Sequence, residues 1–247
     1  MAALHRMCNV ALSIFGGQFL GNLATGMSII NLSDFRNYMR ISLAKSFLSV
    51  VGITMLVVSF SAHAEYVWLE REVTGATSAY IGESDGTRLA PTAIIAPRAY
   101  LVDGKDLPLA TESERLVIGS AVNGDVRLVA SRVGEKGVLN YYQAKNGRSE
   151  IKAVNDLELV PTEANGNTFK LVWKGNAVAA SQVNVDTSEG WHRVLKPAKD
   201  GTVTLVTPFP GRYLLEVTAR INGSVTIDGK KYEDVRHTAT LTFEVKN

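Results

Sequence analysis

Cys8 is the only cysteine in the 247 residues. One thiol closes no disulfide within the chain and supplies no C-x-x-C redox or metal motif. Histidine is also scarce: of four, only His192 and His237 lie beyond position 64. That shortage works against Ser-His-Asp chemistry, and no H-E-x-x-H stretch, Walker loop or G-x-G-x-x-G turn occurs. Paired acids such as Glu70 with Glu72 and Glu112 with Glu114 sit at alternate positions, as on the solvated face of a strand. The chain therefore reads as a non-enzymatic protein with no catalytic residues. Basic excess is missing as well, since 22 Lys or Arg face 23 Asp or Glu beyond Ala64. Nucleic-acid surfaces need clustered positive charge, so no nucleic-acid partner is expected. Past residue 64 no long stretch has the 3.6-residue period of an amphipathic helix; at most one short helix fits around 84–92.

What is present falls into two parts. Arg40 and Lys45 precede the uncharged run Ser46–Ala62, and Ala62-His63-Ala64 ends it with two small residues one apart. Basic, apolar and small-residue regions in this order spell a helical secretory signal. Cleavage after Ala64 would deliver the chain to the periplasm. Met39 then opens a signal over 39–64, and 1–38 is an extension without function. The competing reading is an uncleaved anchor, because the run is at the lower edge of what spans a bilayer. That anchor would be the protein's only membrane contact.

From Glu65 onward two-residue alternation dominates. Tyr213, Leu215, Val217, Ala219 and Ile221 share one side, with Glu216, Thr218 and Arg220 on the other. Ala239, Leu241, Phe243 and Val245 alternate with Thr238, Thr240, Thr242 and Glu244 in the same way. This pattern predicts sheets with one dry face and one wet face. Eight Asx-Gly pairs, from Asp85-Gly86 to Asp228-Gly229, mark frequent reversals, because Gly accepts the positive φ of tight turns. The expected fold is all-β: two antiparallel β-sandwich-like domains after the signal. The polar stretch PTEANGNT (161–168) marks the boundary, giving an N-terminal β domain over 65–163 and an Ig-like or transthyretin-like sandwich over 168–247. Pro210-Gly211-Arg212-Tyr213 leads into a strand, and the Tyr213 hydroxyl is expected to bond backbone there.

Candidate metal ligands are Glu65, which would bring a new α-amine, the acidic turn Glu83/Asp85, His192 beside Trp191, and His237. Imidazole with carboxylates suits nickel, cobalt or zinc. Their spacing is not diagnostic, and each also fits a plain surface position. A second candidate surface is aromatic: Tyr141, Tyr142, Trp191 and Phe209. Tyr141 and Tyr142 are neighbours, so in a strand one of them points away from the core. That one is a candidate contact for an envelope protein or a glycan.

Several stretches occur in a familiar order: EYVWLERE (65–72), AYIGE (79–83), NYYQAK (140–145), LELVPT (157–162), LVWKGNAVAASQVNV (171–185), EGW (189–191), DGTVTLVTPFPGRYLLEV (200–217) and HTATLTFEV (237–245). Together they resemble a bacterial periplasmic family of unknown function, described as a substrate-binding component associated with nickel or cobalt uptake. The resemblance implies an exported all-β protein with an Ig-like or carboxypeptidase-regulatory-like C-terminal sandwich. It further implies a membrane transporter for divalent metal as partner. Such proteins often carry a His directly after the cleavage box, where this chain has Glu65.

Overall fold

The alternating stretches form strands, and the computed structural model places each one in a sheet. It describes residues 65–83, 87–119, 123–134, 137–221, 224–227 and 229–246, so the expected signal and extension lie outside the described residues. In chain order the first strands are β1 (Tyr66–Arg71), β2 (Thr77–Gly82), β3 (Arg88–Leu89), β4 (Ile95–Tyr100), β5 (Asp106–Leu107), β6 (Leu109–Thr111) and β7 (Leu116–Ile118). Next come β8 (Val126–Val133), β9 (Leu139–Asn146), β10 (Leu157–Pro161), β11 (Thr168–Trp173), β12 (Asn176–Val178) and β13 (Val183–Thr187). The last are β14 (His192–Leu195), β15 (Thr202–Thr204), β16 (Gly211–Ile221), β17 (Val225–Ile227), β18 (Lys230–Tyr232) and β19 (Val235–Val245). A 3-10 turn at Pro91–Ala93 takes the place of the short helix expected around 84–92. The described chain is all-β, as the alternation predicts.

One eight-stranded sheet organises the rest, in the order β14-β13-β16-β19-β9-β8-β4-β5. Its centre is the pairing of β19 with β9, which is parallel, so the sheet is mixed where only antiparallel pairing is expected. This pairing also draws strands from both expected domains into one sheet. The register sets Ala144 of β9 opposite Thr240 of β19, and Gln143 opposite Ala239. Tyr142 and Ala144 belong to a core shared with Val67 and Leu69 of β1, whereas Ala239 and Leu241 belong to a core shared with Leu157, Leu159 and Phe169. The two cores therefore lie on opposite faces of one sheet. The sheet built around β1, β2, β7 and β6 covers the first face; that of β10, β11, β12 and β15 covers the second.

This arrangement overturns the simple wet-and-dry reading of β19. Thr238, Thr240 and Thr242 are buried, not solvated. The Thr240 hydroxyl donates to the Val67 carbonyl at 2.6 Å, and that of Thr242 donates to the Leu69 carbonyl at 2.5 Å. Thr240 and Thr242 thus meet carbonyls of β1 in place of water, and the Thr238 hydroxyl pairs with that of Thr218 at 2.9 Å. The stretch PTEANGNT is the turn of the β10–β11 hairpin, with Pro161 paired to Phe169. Leu157 and Leu159, which precede it, pack into the same core as Phe243.

Tyr213 does what its sequence context suggests. Its ring is fully buried, stacks on Phe243 at 5.8 Å, and its hydroxyl donates to the Phe209 carbonyl at 2.8 Å. Removing that hydroxyl leaves a carbonyl short of a partner at little steric cost. Tyr213→Phe is expected to lower stability by about 1 kcal/mol, seen as a lower denaturant midpoint with unchanged slope. A change in slope would mean that the hydroxyl also shapes the compactness of one end state.

Candidate functional site

The second face of the large sheet is only partly covered. Sheet β10-β11-β12 lies over β19 and its neighbours, and beyond its edge a cavity of about 550 Å³ opens over β8, β9 and the start of β19. The floor follows from strand parity. Val129 and Ser131 of β8, Tyr141 and Gln143 of β9, and His237 of β19 all line the cavity, while Leu128, Tyr142 and Ala144 point into the first core. Of the adjacent tyrosines, Tyr141 is thus the one turned away from the core.

His237 sits between two rings. Tyr141 stacks on it at 4.9 Å with the planes 28° apart, and Trp173 meets it edge-on at 4.7 Å and 87°. Gln143 fixes its tautomer. The Gln143 Oε1 accepts the Leu157 backbone N–H, so its Nε2 faces His237 Nδ1 at 2.7 Å as the donor. Nδ1 is then the acceptor, and the ring proton sits on Nε2. Burial pulls the imidazole pKa down to about 4; Asp156 opposes that shift and Lys174 adds to it. At neutral pH the ring is uncharged. Burial pushes the Tyr141 hydroxyl up, helped by Tyr232 and Asp156, so it remains a protonated donor.

The walls carry the polar groups. Asn155 is 5% exposed, and its Oδ1 accepts a hydrogen bond from the Tyr100 hydroxyl. Its Nδ2 has no hydrogen-bond partner among the described residues. Reversing the amide would only exchange which end is left over, so one polar atom stays unsatisfied either way. Such a group costs about 1–3 kcal/mol. Next to it, Asp156 is exposed at the rim, and its carbonyl accepts the Lys174 backbone N–H at 2.6 Å, while the Lys174 Nζ lies 5.3 Å from the Trp173 ring.

Two backbone irregularities border the same space. Lys174 and Gly175 form the two-residue β11–β12 turn, with φ of 45° and 81°. A turn of this kind needs positive φ twice and favours Asn-Gly, so Lys at its first position is not chosen for backbone ease. Ala96, with φ 49°, occupies a bulge where the β4–β8 register shifts between Ile95 and Arg98. Bulges re-aim side chains and concentrate next to functional sites.

A buried ion network holds the wall loop in place. Arg127 of β8 and Lys145 of β9 have fully buried side chains. Arg127 donates to Glu158 from Nε and Nη2 at 2.9–3.3 Å, and to Glu150 from Nη1 at 2.7 Å. Lys145 meets Asp125 at 3.1 Å. Asp125 accepts from the Ser149 and Glu150 backbone N–H groups at 3.1 and 3.0 Å; Glu158 accepts from those of Val154 and Asn155, both at 2.9 Å. Both ends of the segment 149–155 are thus tied to buried carboxylates, and this sets the position of Asn155.

The expected metal ligands are dispersed. Glu65 pairs with Arg132 before β1. Glu83 begins the β2–β3 loop, and Asp85 lies outside the described residues. His192 is an exposed residue of edge strand β14, bonded to Asp186 on β13. His237 is three strands further in and five residues along from the position opposite His192, about 20 Å away at ordinary strand spacing and rise. Among the described residues, no group of three His, Cys, Asp or Glu could hold an ion. Trp191 and Phe209, two of the candidate aromatic contacts, pack against the second core. Gly82-Glu83-Ser84-Asp85-Gly86 spells G-x-S-x-G between antiparallel strands β2 and β3, whereas a nucleophile elbow joins a strand to a helix; Ser84, Asp85 and Gly86 lie outside the described residues.

Asn155, Trp173, Lys174 and Tyr100 are site residues that sequence reading misses. The only local signal is Lys-Gly where a tight turn would prefer Asn-Gly. Compared with known proteins, the chain matches no family model and no curated protein.

Proposed function

We propose that this is an exported, non-catalytic binding protein that holds a small organic ligand in the cavity between Tyr141, Trp173 and Asn155. The observation that carries this reading is the cavity itself, walled by the Tyr100, Tyr141 and Trp173 rings with the polar side chains of Gln143 and His237 on its floor. The rings supply contact area for such a ligand, and the few polar groups among them fix its orientation. The pocket size lies within the usual range of about 300–1,000 Å³ for small-molecule sites.

Accessory binding of nickel, cobalt or zinc, handed to a membrane transporter, is the competing reading. It is less well supported at His237. A metal on Nε2 would move the ring proton to Nδ1, opposite a Gln143 amide group that is itself a donor. Metal-bound histidines ordinarily give that second proton to an acceptor.

Thermal unfolding in the presence of a metabolite library and of nickel, cobalt and zinc chlorides separates these readings. A ligand at a hundred times its dissociation constant stabilises by about 2.7 kcal/mol, a shift of several degrees. At least one organic compound is expected to raise the midpoint of the wild type. It should have no effect on Ser131→Trp, which fills the cavity from a half-exposed position. Equal shifts in both proteins, or shifts with metal ions alone, would overturn the assignment.

A further inference from the structure

We infer that the cavity's occupant is a neutral sugar ring, held with its C–H face against Trp173 and its hydroxyls toward Asp156 and Lys174. This inference rests on the binding reading above and specifies its chemistry.

Charge is the first discriminator. The rim presents one carboxylate, Asp156, and one ammonium, Lys174, at the ends of neighbouring strands whose backbones are joined there by the Lys174 N–H to Asp156 carbonyl bond. An anionic ligand gains from Lys174 and loses to Asp156; a cation does the reverse. A neutral ligand loses to neither. Hydrogen-bond chemistry is the second. The Lys174 ammonium offers donors and the Asp156 carboxylate accepts them, and a hydroxyl is both acceptor and donor at once. Neighbouring hydroxyls on one ring therefore satisfy both groups, which an apolar ligand cannot.

Ring geometry is the third. Tyr141 lies within 28° of the His237 plane, but Trp173 is turned 87° from it. Tyr141 and Trp173 thus stand at a steep angle to one another, so no pair of parallel plates exists to sandwich a flat ring. A puckered ring offers apolar C–H faces and polar edges in different directions and fits an angled corner. The bent backbone at Ala96 and the Lys at an Asn-type turn position both shape this corner.

Calorimetric titration of the whole protein with maltose, cellobiose and diacetylchitobiose, alongside glucuronate, glucosamine and indole, tests this. At least one neutral disaccharide should bind, with the charged sugars and indole weaker by about tenfold or more. Trp173→Ala and Asp156→Asn should each weaken that sugar by about tenfold, or ~1.4 kcal/mol. Asp156 is exposed, so its variant keeps the test open if the Trp173 change disturbs folding. Stronger binding of glucuronate, glucosamine or indole, or no sugar binding at all, overturns the sugar assignment. The cavity reading would survive that result if another organic compound still distinguished wild type from Ser131→Trp. Sugar binding unaffected by Ser131→Trp overturns both.

Discussion

Arg127→Met is expected to destabilise the protein by about 3–5 kcal/mol, measured by equilibrium denaturation. The guanidinium is fully buried and is shared by Glu158, 1% exposed, and Glu150. Five ionised groups meet here: Arg127 and Lys145 against Asp125, Glu150 and Glu158. Losing Arg127 leaves one buried cation to balance three carboxylates, and Glu158 cannot turn to water because its oxygens also hold the Val154 and Asn155 N–H groups. The cost is chiefly that of the stranded charge, not of the lost contact. Adding Glu158→Leu to Arg127→Leu should recover little of the loss, because it also strips the Val154 and Asn155 N–H groups of their acceptor. A single-variant cost under about 1 kcal/mol would show that water reaches the network. The same variant should weaken ligand binding, because the loop that carries Asn155 is anchored to Glu158.

That network also shows where the sequence stops being informative. Val126, Leu128 and Ala130 alternate with Arg127 and Val129, and alternation alone sends Arg127 to solvent. The strands, the frequent Asx-Gly turns and the Tyr213 hydroxyl bond were legible because each depends on residues near in sequence. Which face is wet was not, because that is decided by a second sheet. Thr240 and Thr242 look like surface residues until β1 packs over them and accepts their hydrogen bonds. The parallel β9–β19 pairing joins residues about a hundred positions apart, and no local pattern encodes it. The cavity inherits this problem. Tyr141 could be picked out as one of two adjacent tyrosines, and His237 as one of two late histidines. Their stacking, and the addition of Trp173 and Asn155, come only from that pairing and from the edge at which the upper sheet ends.

Acid should destabilise the wild-type protein more than His237→Gln. An unfolded histidine takes up its proton near pH 6.5, whereas in the fold His237 does so only near 4. Between those values the unfolded state holds the extra proton, so stability falls as pH falls. The penalty is absent above about pH 6.5 and complete below about pH 4. At about 1.4 kcal/mol per unit, and reduced because the ring borders an open cavity, it amounts to about 2–3 kcal/mol. Asp156 favours the protonated ring and Lys174 opposes it, while the stacked Tyr141 stays neutral. Glu216 works in the other direction: burial raises its pKa, so the fold holds its proton more tightly and gains stability as pH drops. The absolute pH profile mixes these effects. The difference between wild type and His237→Gln isolates one of them, because Glu216 is common to both. Unfolding free energies measured from pH 7 to pH 4 should therefore converge toward acid if the variant starts less stable, or diverge, with the variant the more stable in acid, if it starts equal. Parallel curves would mean that His237 titrates normally and that water, rather than Tyr141 and Trp173, surrounds the ring.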